Sequence, residues 1–177
     1  MNDFRDIAFS KGFMLTRDDT SSVAHFVETP LWDGWTLWSD DFTPTSRATA
    51  GADVMVLIRG QFFDGTGVSS DDVASKLAES LAISYEKFER SLGTLLGRYM
   101  VIAMREGETW LYHDALGLRS VYYDRDSGLV GSHARLVSQK AKREAIHGAK
   151  ETRYRLDHTT FDRVLHLLPN FRLNLKT

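Results

Sequence analysis

The densest group of side chains suited to chemistry lies between His113 and Tyr123. His113 and Asp114 are adjacent, and Arg119 follows two residues after Gly117. Histidine and aspartate are metal ligands, but no compact ligand spacing accompanies them here. We therefore expect both to have structural hydrogen-bond partners and predict no metal site. Asp114 and Arg119 flank a turn at Gly117, where we expect them to form an ion pair or to cap backbone groups.

The other candidate site residues are two pairs of identical neighbours in the sequence. Asp71 and Asp72 follow Ser70, which is suited to cap a helix, and carboxylates favour the positive end of a helix dipole. A role in the first turn of that helix is the simplest interpretation. Tyr122 and Tyr123 are neighbours in a predicted strand, so their side chains point to opposite faces and at most one is free to contact a ligand.

Composition excludes several classes of function. The 177 residues contain no cysteine, which excludes disulfides, thiolate metal sites and cysteine catalysis within this sequence. A net charge of −2 gives no electrostatic reason to expect nucleic acid, and no apolar run approaches the roughly 20 residues that span a bilayer. The first residues lack an apolar signal core. We therefore expect a cytoplasmic protein with a single domain over 1–177 and no contact with nucleic acid or membrane.

The elements that position these residues are mainly short strands. An unbroken apolar run at Tyr99–Met104 is typical of a strand covered on both faces, and the polar turn after it predicts a hairpin. With three further strands it predicts one antiparallel meander: Thr109–Tyr112, Ser120–Tyr123 and Leu129–Gly131. The other predicted strands are Gly12–Thr16 with a returning partner at Val23–Val27, Val54–Ile58, and a closing strand at Phe171–Leu175.

Two amphipathic helices are predicted before the meander. Val73, Leu77 and Leu81 recur every four residues and define one apolar stripe. Ser84 is suited to cap a second helix, in which Phe88 belongs to the apolar side. Both helices should pack over one face of a sheet.

Three other segments complete the prediction. Asp157–Leu167 is expected to be another short helix because its apolar residues share one side, and Thr43–Gly51 is expected to be a loop. The charged run Gln139–Glu144 is interpreted as the solvated face of a helix. A basic contact site on a partner is the alternative for that run.

The sequence from Leu95 onward resembles the second half of the glutaminase domain found at the N-terminus of asparagine synthetases. The family begins a strand with Leu-x-Gly-x-Phe/Tyr, which Leu95, Gly97 and Tyr99 match. It continues with Arg-Asp-x-x-Gly-x-Lys/Arg-Pro-Leu-Tyr-Tyr, which His113-Asp114-Ala115-Leu116-Gly117-Leu118-Arg119-Ser120-Val121-Tyr122-Tyr123 matches at the Asp, the Gly, the basic residue and the Tyr pair. The segments Gly131–Val137 and Arg163–Leu173 resemble the strand and the ending that follow in the family.

This resemblance implies an α+β fold of the Ntn-hydrolase type, an α-β-β-α sandwich of two stacked, mainly antiparallel sheets flanked by helices. It also implies a partner, an ATP-dependent synthetase domain that is either covalently attached or a separate protein. Association into a homodimer is left open. The sequence has no Ser-Gly-Gly-x-Asp-Ser pyrophosphate loop, so ATP and Mg²⁺ are expected only on that partner and no cofactor is expected in this chain.

The residues that hydrolyse glutamine in the family are altered. The family uses an N-terminal Cys, whereas this sequence begins with Met1-Asn2, and the family loop Asn-Gly-Glu-Ile-Tyr-Asn corresponds to Arg59-Gly60-Gln61-Phe62-Phe63-Asp64. Gly60 keeps a backbone N–H, but Arg59 replaces the amide donor. The glutamine-binding Gly-Ser-Asp corresponds to Ser69-Ser70-Asp71 or, with one shift, to Ser70-Asp71-Asp72. The candidates for a vestigial glutamine pocket are thus Arg59, Gly60, Asp71 and Asp72, and no catalytic residue is assigned.

The resemblance therefore predicts a degenerate, non-hydrolytic domain, as in relatives similar to β-lactam synthetases and lasso-peptide cyclases. Its expected role is to dock on a synthetase domain and to support ATP-dependent amide formation. Two alternatives stay open: a stand-alone sensor that binds an amino acid or peptide, and an amidohydrolase with a nucleophile other than Cys. Self-cleavage, which occurs in some proteins of this fold, would expose such a nucleophile at Gly65-Thr66, Gly93-Thr94 or Gly131-Ser132.

Overall fold

The computed structural model describes residues 9–17, 23, 25–64, 70–146 and 156–176. Within these ranges it has two separate antiparallel sheets and three helices, which confirms the predicted α+β class. The chain divides into two compact units. The first unit comprises residues 1–42 and 120–168, and the second unit comprises residues 43–119 and 169–177. Met1-Asn2, Gly65-Thr66 and Ser69 lie outside the described residues.

The elements in chain order are β1 (Phe13–Thr16), β2 (Val27–Pro30), β3 (Thr36–Ser39), β4 (Thr45–Thr49), β5 (Val54–Phe63), α1 (Ser70–Ile83), α2 (Tyr85–Leu92), β6 (Leu96–Arg105), β7 (Glu108–His113), β8 (Tyr122–Asp124), β9 (Val130–Gly131), α3 (Ala134–Lys140), β10 (Val164–His166) and β11 (Leu173–Asn174). In the parts of the chain that the structure describes, no helix is long and apolar enough to cross a bilayer.

The second unit contains a five-stranded sheet built on the pair β5 and β6. Its strand order is β11-β7-β6-β5-β4. β5 and β6 pair over their full ten residues, from Val54 opposite Arg105 to Phe63 opposite Leu96. The centres of both strands are buried, as predicted for strands that are covered on both faces.

Two helices pack on this sheet and share one hydrophobic core with it. α1 contributes Leu77 and Leu81, and α2 contributes Phe88; all three side chains are almost fully buried against residues of β5 and β6. Between the helices, the hydroxyl of Ser84 accepts a hydrogen bond of 3.1 Å from the backbone N–H of Lys87. The predicted cap and the packing of two amphipathic helices over one sheet face are confirmed.

Two glycines allow β5 and β6 to approach each other closely. Gly60 and Gly97 have φ angles of +138° and +133°, which residues with a side chain rarely adopt. A Cβ on Gly60 would lie 2.2 Å from the carbonyl oxygen of Arg98, and a Cβ on Gly97 would lie 2.3 Å from that of Gln61. The geometry of the ladder therefore requires glycine at both positions.

The first unit contains a six-stranded sheet in the order β10-β8-β9-β1-β3-β2. Strand β1 confirms the predicted first strand; all four of its residues are buried, and it lies between β9 and β3. Helix α3 packs against this sheet, and a core of Met14, Leu136, Val137 and Val164 joins them.

The predicted four-stranded meander is wrong, because its strands belong to two sheets. β6 and β7 form the expected hairpin in the second unit, whereas β8 and β9 lie in the sheet of the first unit. The other edge of β7 is occupied by β11, where Leu173 pairs with Leu111 and Asn174 with Trp110. Both edges of β7 are therefore paired, and the chain that follows β7 cannot add another strand beside it. Single-strand periodicity does not reveal this choice of partner.

Three other predictions are corrected. Thr43–Gly51 is not a loop throughout, because β4 pairs with β5 over five residues. Asp157–Leu167 is not a helix: β10 pairs with β8, and Arg163 directly before it has a left-handed φ of 58°. The returning strand at Val23–Val27 is also wrong, because β1 pairs with β3 and β9 instead. β4 pairs with the next strand along the chain, whereas β10 and β1 pair with strands that are distant in the sequence.

Arg143, which was predicted to lie on a solvated face, binds a buried carboxylate in the first unit. Its Nε and Nη2 donate to the two oxygens of Asp124 at 2.6 and 2.9 Å. Asp124 also accepts hydrogen bonds of 2.8 Å from the backbone N–H and the hydroxyl of Ser127. Burial alone would raise the pKa of Asp124, but the hydrogen bonds from Arg143 and Ser127 outweigh it and lower the pKa to about 2.

We expect Gly60→Ala and Gly97→Ala each to lower the free energy of unfolding by at least about 2 kcal/mol, because the new methyl group would collide with a backbone carbonyl at a strained φ. Urea denaturation followed by circular dichroism measures this change. Gly93→Ala is the matched control, since Gly93 has a φ of −63° and Ala should alter the stability there by less than about 1 kcal/mol. Equal stability of Gly60→Ala and Gly93→Ala would contradict this account of the ladder.

Asp124→Asn should lower the free energy of unfolding at pH 7 by about 2 to 3 kcal/mol, because hydrogen bonds to a buried charged acceptor are lost. Folding lowers the pKa of Asp124 from 3.8 to about 2, so the carboxylate stabilises the folded chain above that range and loses this effect as the pH falls through it. The difference between wild type and variant should therefore shrink in acid.

Asp126→Asn is the control for this prediction. Asp126 pairs with the same Arg143, but its side chain is 43% exposed, so its loss should cost less than about 1 kcal/mol. Chemical denaturation at a series of pH values measures both variants. A difference between wild type and Asp124→Asn that stays constant into acid would show that the carboxylate charge is not the cause.

Candidate functional site

Arg59 and Gly60, two candidates for the vestigial pocket, lie within β5, where they pair with Met100 and Tyr99 of β6, and both donate hydrogen bonds to residues 43–45. The buried Arg59 donates from Nη1 to the carbonyl of Thr43 at 2.9 Å and to the hydroxyl of Thr45 at 2.6 Å. The backbone N–H of Gly60 donates to the carbonyl of Pro44 at 2.9 Å. The sequence predicted a retained N–H at Gly60, and the structure places it in a hydrogen bond with the preceding segment of its own chain.

Asp71 and Asp72 lie in the first turn of α1, as predicted. The helix begins at Ser70, so Ser70 is its first residue and not the residue that precedes it. Asp72 is exposed at this end. Both positions suit the favourable interaction of a carboxylate with the helix N-terminus.

Asp114 holds the turn that follows β7. Its Oδ1 accepts a hydrogen bond of 2.8 Å from the N–H of Leu118, and its Oδ2 accepts one of 2.7 Å from the N–H of Arg119. The N–H of Gly117 donates to the carbonyl of Asp114 at 2.9 Å. Asp114 and Arg119 are both buried. The prediction that Asp114 caps turn backbone groups is confirmed.

The glycine and the histidine of this turn are also structural. Gly117 has a φ of +67°, and a Cβ on it would lie 2.8 Å from Cγ of Pro169. Nδ1 of the buried His113 lies 3.1 Å from the carbonyl oxygen of Arg119, which requires the tautomer with a proton on Nδ1. The hydrogen-bond partner that was expected for His113 is therefore present.

Tyr122 and Tyr123 have different surroundings in the first unit. The ring of Tyr122 stacks on that of His166 with 4.8 Å between centroids. Tyr123 lines a cavity of about 390 Å³, and burial, assisted by the charge of Asp157, raises the pKa of its phenol. That at most one of the pair is available to a ligand stays a prediction.

A cavity of about 610 Å³ in the second unit was not predicted from the sequence. Its walls carry the aromatic rings of Tyr99, Trp110 and Tyr112, and we call it the aromatic cavity. Phe171 and Arg172, which precede β11, form part of its rim. The side chain of Phe171 is 63% exposed. Burial, with a smaller contribution from the charge of Asp114, raises the pKa of the Tyr99 phenol to about 12, so this ring is neutral.

Arg172 is held at the rim by three contacts. Its guanidinium carbon lies 4.3 Å from the ring centroid of Trp110, over the ring face. Its Nη1 donates to Oε1 of Glu89 and, at 3.2 Å, to the hydroxyl of Tyr112. The Tyr112 hydroxyl in turn donates to the same Glu89 oxygen at 3.1 Å. Burial raises the pKa of Tyr112, so the phenol stays protonated and can make both bonds.

A second concave surface lies between α1 and α2, with a volume of about 750 Å³. Its floor is apolar, and its rim includes two ion pairs, Arg90 with Glu86 at 2.5 Å and Lys76 with Asp64 at 3.8 Å. These pairs are mostly exposed, and none of them is fixed by an aromatic ring. The aromatic cavity is therefore the better candidate for a ligand site.

Only part of the aromatic cavity leaves a signal in the sequence. Trp110 and Tyr112 are two residues apart in a predicted strand and therefore share a face. Arg172 is separated from Tyr112 by 60 residues and from Glu89 by 83, so their contact follows only from the pairing of β11 with β7.

No protein-family model matches the chain, and no curated protein matches it.

Asp114→Ala should lower the free energy of unfolding by about 2 to 4 kcal/mol, because it removes two hydrogen bonds to a carboxylate and leaves a buried N–H without its acceptor. Glu86→Ala is the control, since the Glu86 side chain is 75% exposed in an ion pair and should contribute less than about 1 kcal/mol. Urea denaturation at pH 7 compares the two. The capping role would be excluded if Asp114→Ala were as stable as Glu86→Ala.

Proposed function

We propose that the chain is a non-catalytic glutaminase-like domain that supports an asparagine-synthetase-like enzyme, which forms amide bonds with the use of ATP. In this proposal the chain docks on the synthetase domain, either within one polypeptide or as a separate cytoplasmic protein. ATP and Mg²⁺ bind to the synthetase domain. The chain contributes structure and does not supply ammonia.

The observation that carries the proposal is the hydrogen bonding at Arg59 and Gly60 of β5, the residues that the resemblance aligns with the family's oxyanion loop. Hydrolysis of an amide needs hydrogen-bond donors that point to the oxygen on which negative charge develops. The Gly60 N–H instead donates to the carbonyl of Pro44, and the adjacent Arg59 donates to Thr43 and Thr45. A donor that already hydrogen-bonds a carbonyl of its own chain does not stabilise an oxyanion unless this part of β5 changes its conformation.

The residues that match the family elsewhere support the same proposal. Gly97, Asp114 and Gly117 belong to the matched segments, and each of them fixes backbone geometry: the two glycines through their φ angles and Asp114 through its caps. Such residues are required for a fold with or without hydrolytic activity. A domain that keeps the structural residues and lacks a thiol is the expected form of a non-catalytic member.

The first test is direct measurement of glutaminase activity. The purified chain is incubated with glutamine at neutral pH, and glutamate and ammonia are measured by coupled assays. We expect no release above that of buffer, because no thiol is available to attack the amide. A glutaminase domain of the resembled family that begins with Cys is the positive control. Release of stoichiometric glutamate and ammonia by this chain would support the amidohydrolase alternative and overturn the proposal.

The second test concerns docking. The chain is combined with the ATP-dependent synthetase encoded in the same or the neighbouring reading frame, and amide formation from added ammonia is measured with and without it. We expect amide formation to require the chain and both components to elute together on size exclusion. Full activity of the synthetase without the chain would contradict the proposal. A rise in Tm with glutamine, asparagine or aspartate would instead favour the sensor alternative.

A further inference from the structure

We propose that the aromatic cavity binds a small carboxylate that carries an apolar side chain, with Arg172 as the group that recognises the carboxylate. The ligand is either a free amino-acid derivative or the C-terminal residue of a peptide, since both present a carboxylate beside an apolar group. This inference does not depend on the proposed function. It uses only residues of the second unit, and neither Arg59 nor Gly60 lines the cavity.

The first reason is that the guanidinium of Arg172 is already oriented. It lies over the face of Trp110, and both of its hydrogen bonds within the described residues use Nη1. The edge formed by Nε–H and Nη2–H is therefore left for a ligand. This edge presents two parallel donors, the arrangement that matches the two oxygens of a carboxylate.

The second reason is that the ion pair of Arg172 contributes little to the stability of the fold. Arg172 and Glu89 are 40% and 43% exposed, and an ion pair in such a position adds little to stability. The hydroxyl of the buried Tyr112 forms hydrogen bonds with both Glu89 and Arg172 and so holds them together at the rim of the cavity. An arginine that is held in one geometry loses less conformational entropy when it binds an anion.

The third reason is the composition of the cavity. Its volume of about 610 Å³ lies within the usual range of small-molecule sites. Aromatic rings and Leu92 provide apolar contact, and the exposed ring of Phe171 at the rim gains most from being covered. A ligand with one carboxylate and one apolar side chain can contact Arg172 and Phe171 at the same time.

The probe for this site is N-acetyl-L-phenylalanine, and the binding is measured by NMR titration of the ¹⁵N-labelled chain. We expect a Kd of about 1 mM, with shifts at the indole N–H of Trp110. The indole signal is assigned with Trp110→Phe. N-acetyl-L-phenylalanine amide lacks the carboxylate and should bind at least about tenfold more weakly. Equal binding of the acid and the amide would overturn the proposal.

Three variants test the named residues. Arg172→Gln should weaken binding at least about tenfold, and Arg172→Lys should also weaken it because Lys lacks the two parallel donors. Phe171→Ala should weaken it severalfold without affecting folding, since the ring is exposed. Arg90→Gln is the matched control, an exposed arginine of α2 that is paired with Glu86, and should leave binding unchanged. Unchanged binding in folded Arg172→Gln, or in Phe171→Ala if the former does not fold, would overturn the proposal.

The source of the ligand is distinguished by two further probes. L-phenylalanine carries an α-ammonium group, whereas glycyl-glycyl-L-phenylalanine has an amide N–H at the same position and extends out of the site. Tighter binding of the peptide supports the C-terminus of a peptide as ligand, and tighter binding of the free amino acid supports a metabolite. Absence of binding for all carboxylates at 10 times the expected Kd, that is about 10 mM, would exclude the site.

Discussion

The close pairing of β5 with β6 is the constraint on which the second unit depends. Ten residues of each strand form one ladder, and the two strands approach at Gly60 and Gly97, where any Cβ would meet a backbone oxygen. The register places Tyr99 opposite Gly60. The hydroxyl of Tyr99 then donates to the carbonyl of Leu92 at 3.3 Å, which joins the end of α2 to the sheet. The ladder thereby positions both the helices and one wall of the aromatic cavity.

This constraint gives a physical meaning to the glycines of the matched sequence segments. The resemblance would align Gly60 with a glycine of the family's oxyanion loop, yet its φ of +138° and its close approach to Arg98 require glycine whether or not an oxyanion is bound. Gly97 and Gly117 are likewise required by backbone geometry. A motif made of such residues therefore indicates a fold more reliably than an activity. Activity has to be judged from the donors and nucleophiles themselves.

The sequence predicted elements whose signals are local and failed where a distant partner decides. The cap at Ser84 and the apolar stripe through Leu77 and Leu81 depend on residues within a few positions, and the structure confirms them. By contrast, β10 forms only because β8, which is distant in the sequence, offers it an edge. The candidates for a vestigial pocket were proposed from a motif, whereas the aromatic cavity requires the pairing of β11 with β7. Strand pairing over such distances has no local sequence signature.

Arg172 shows how a residue can be fixed without adding much to stability. Its ion pair with Glu89 is close to half exposed, so screening by water limits its contribution to folding. Trp110 and Tyr112 nevertheless restrict it to one orientation, with its second donor edge uncommitted. Contacts that orient a charged group and yield little folding energy are typical of binding sites, where pre-organisation increases affinity. We therefore attribute the arrangement around Arg172 to recognition of an anion and the ladder at Gly60 to the fold.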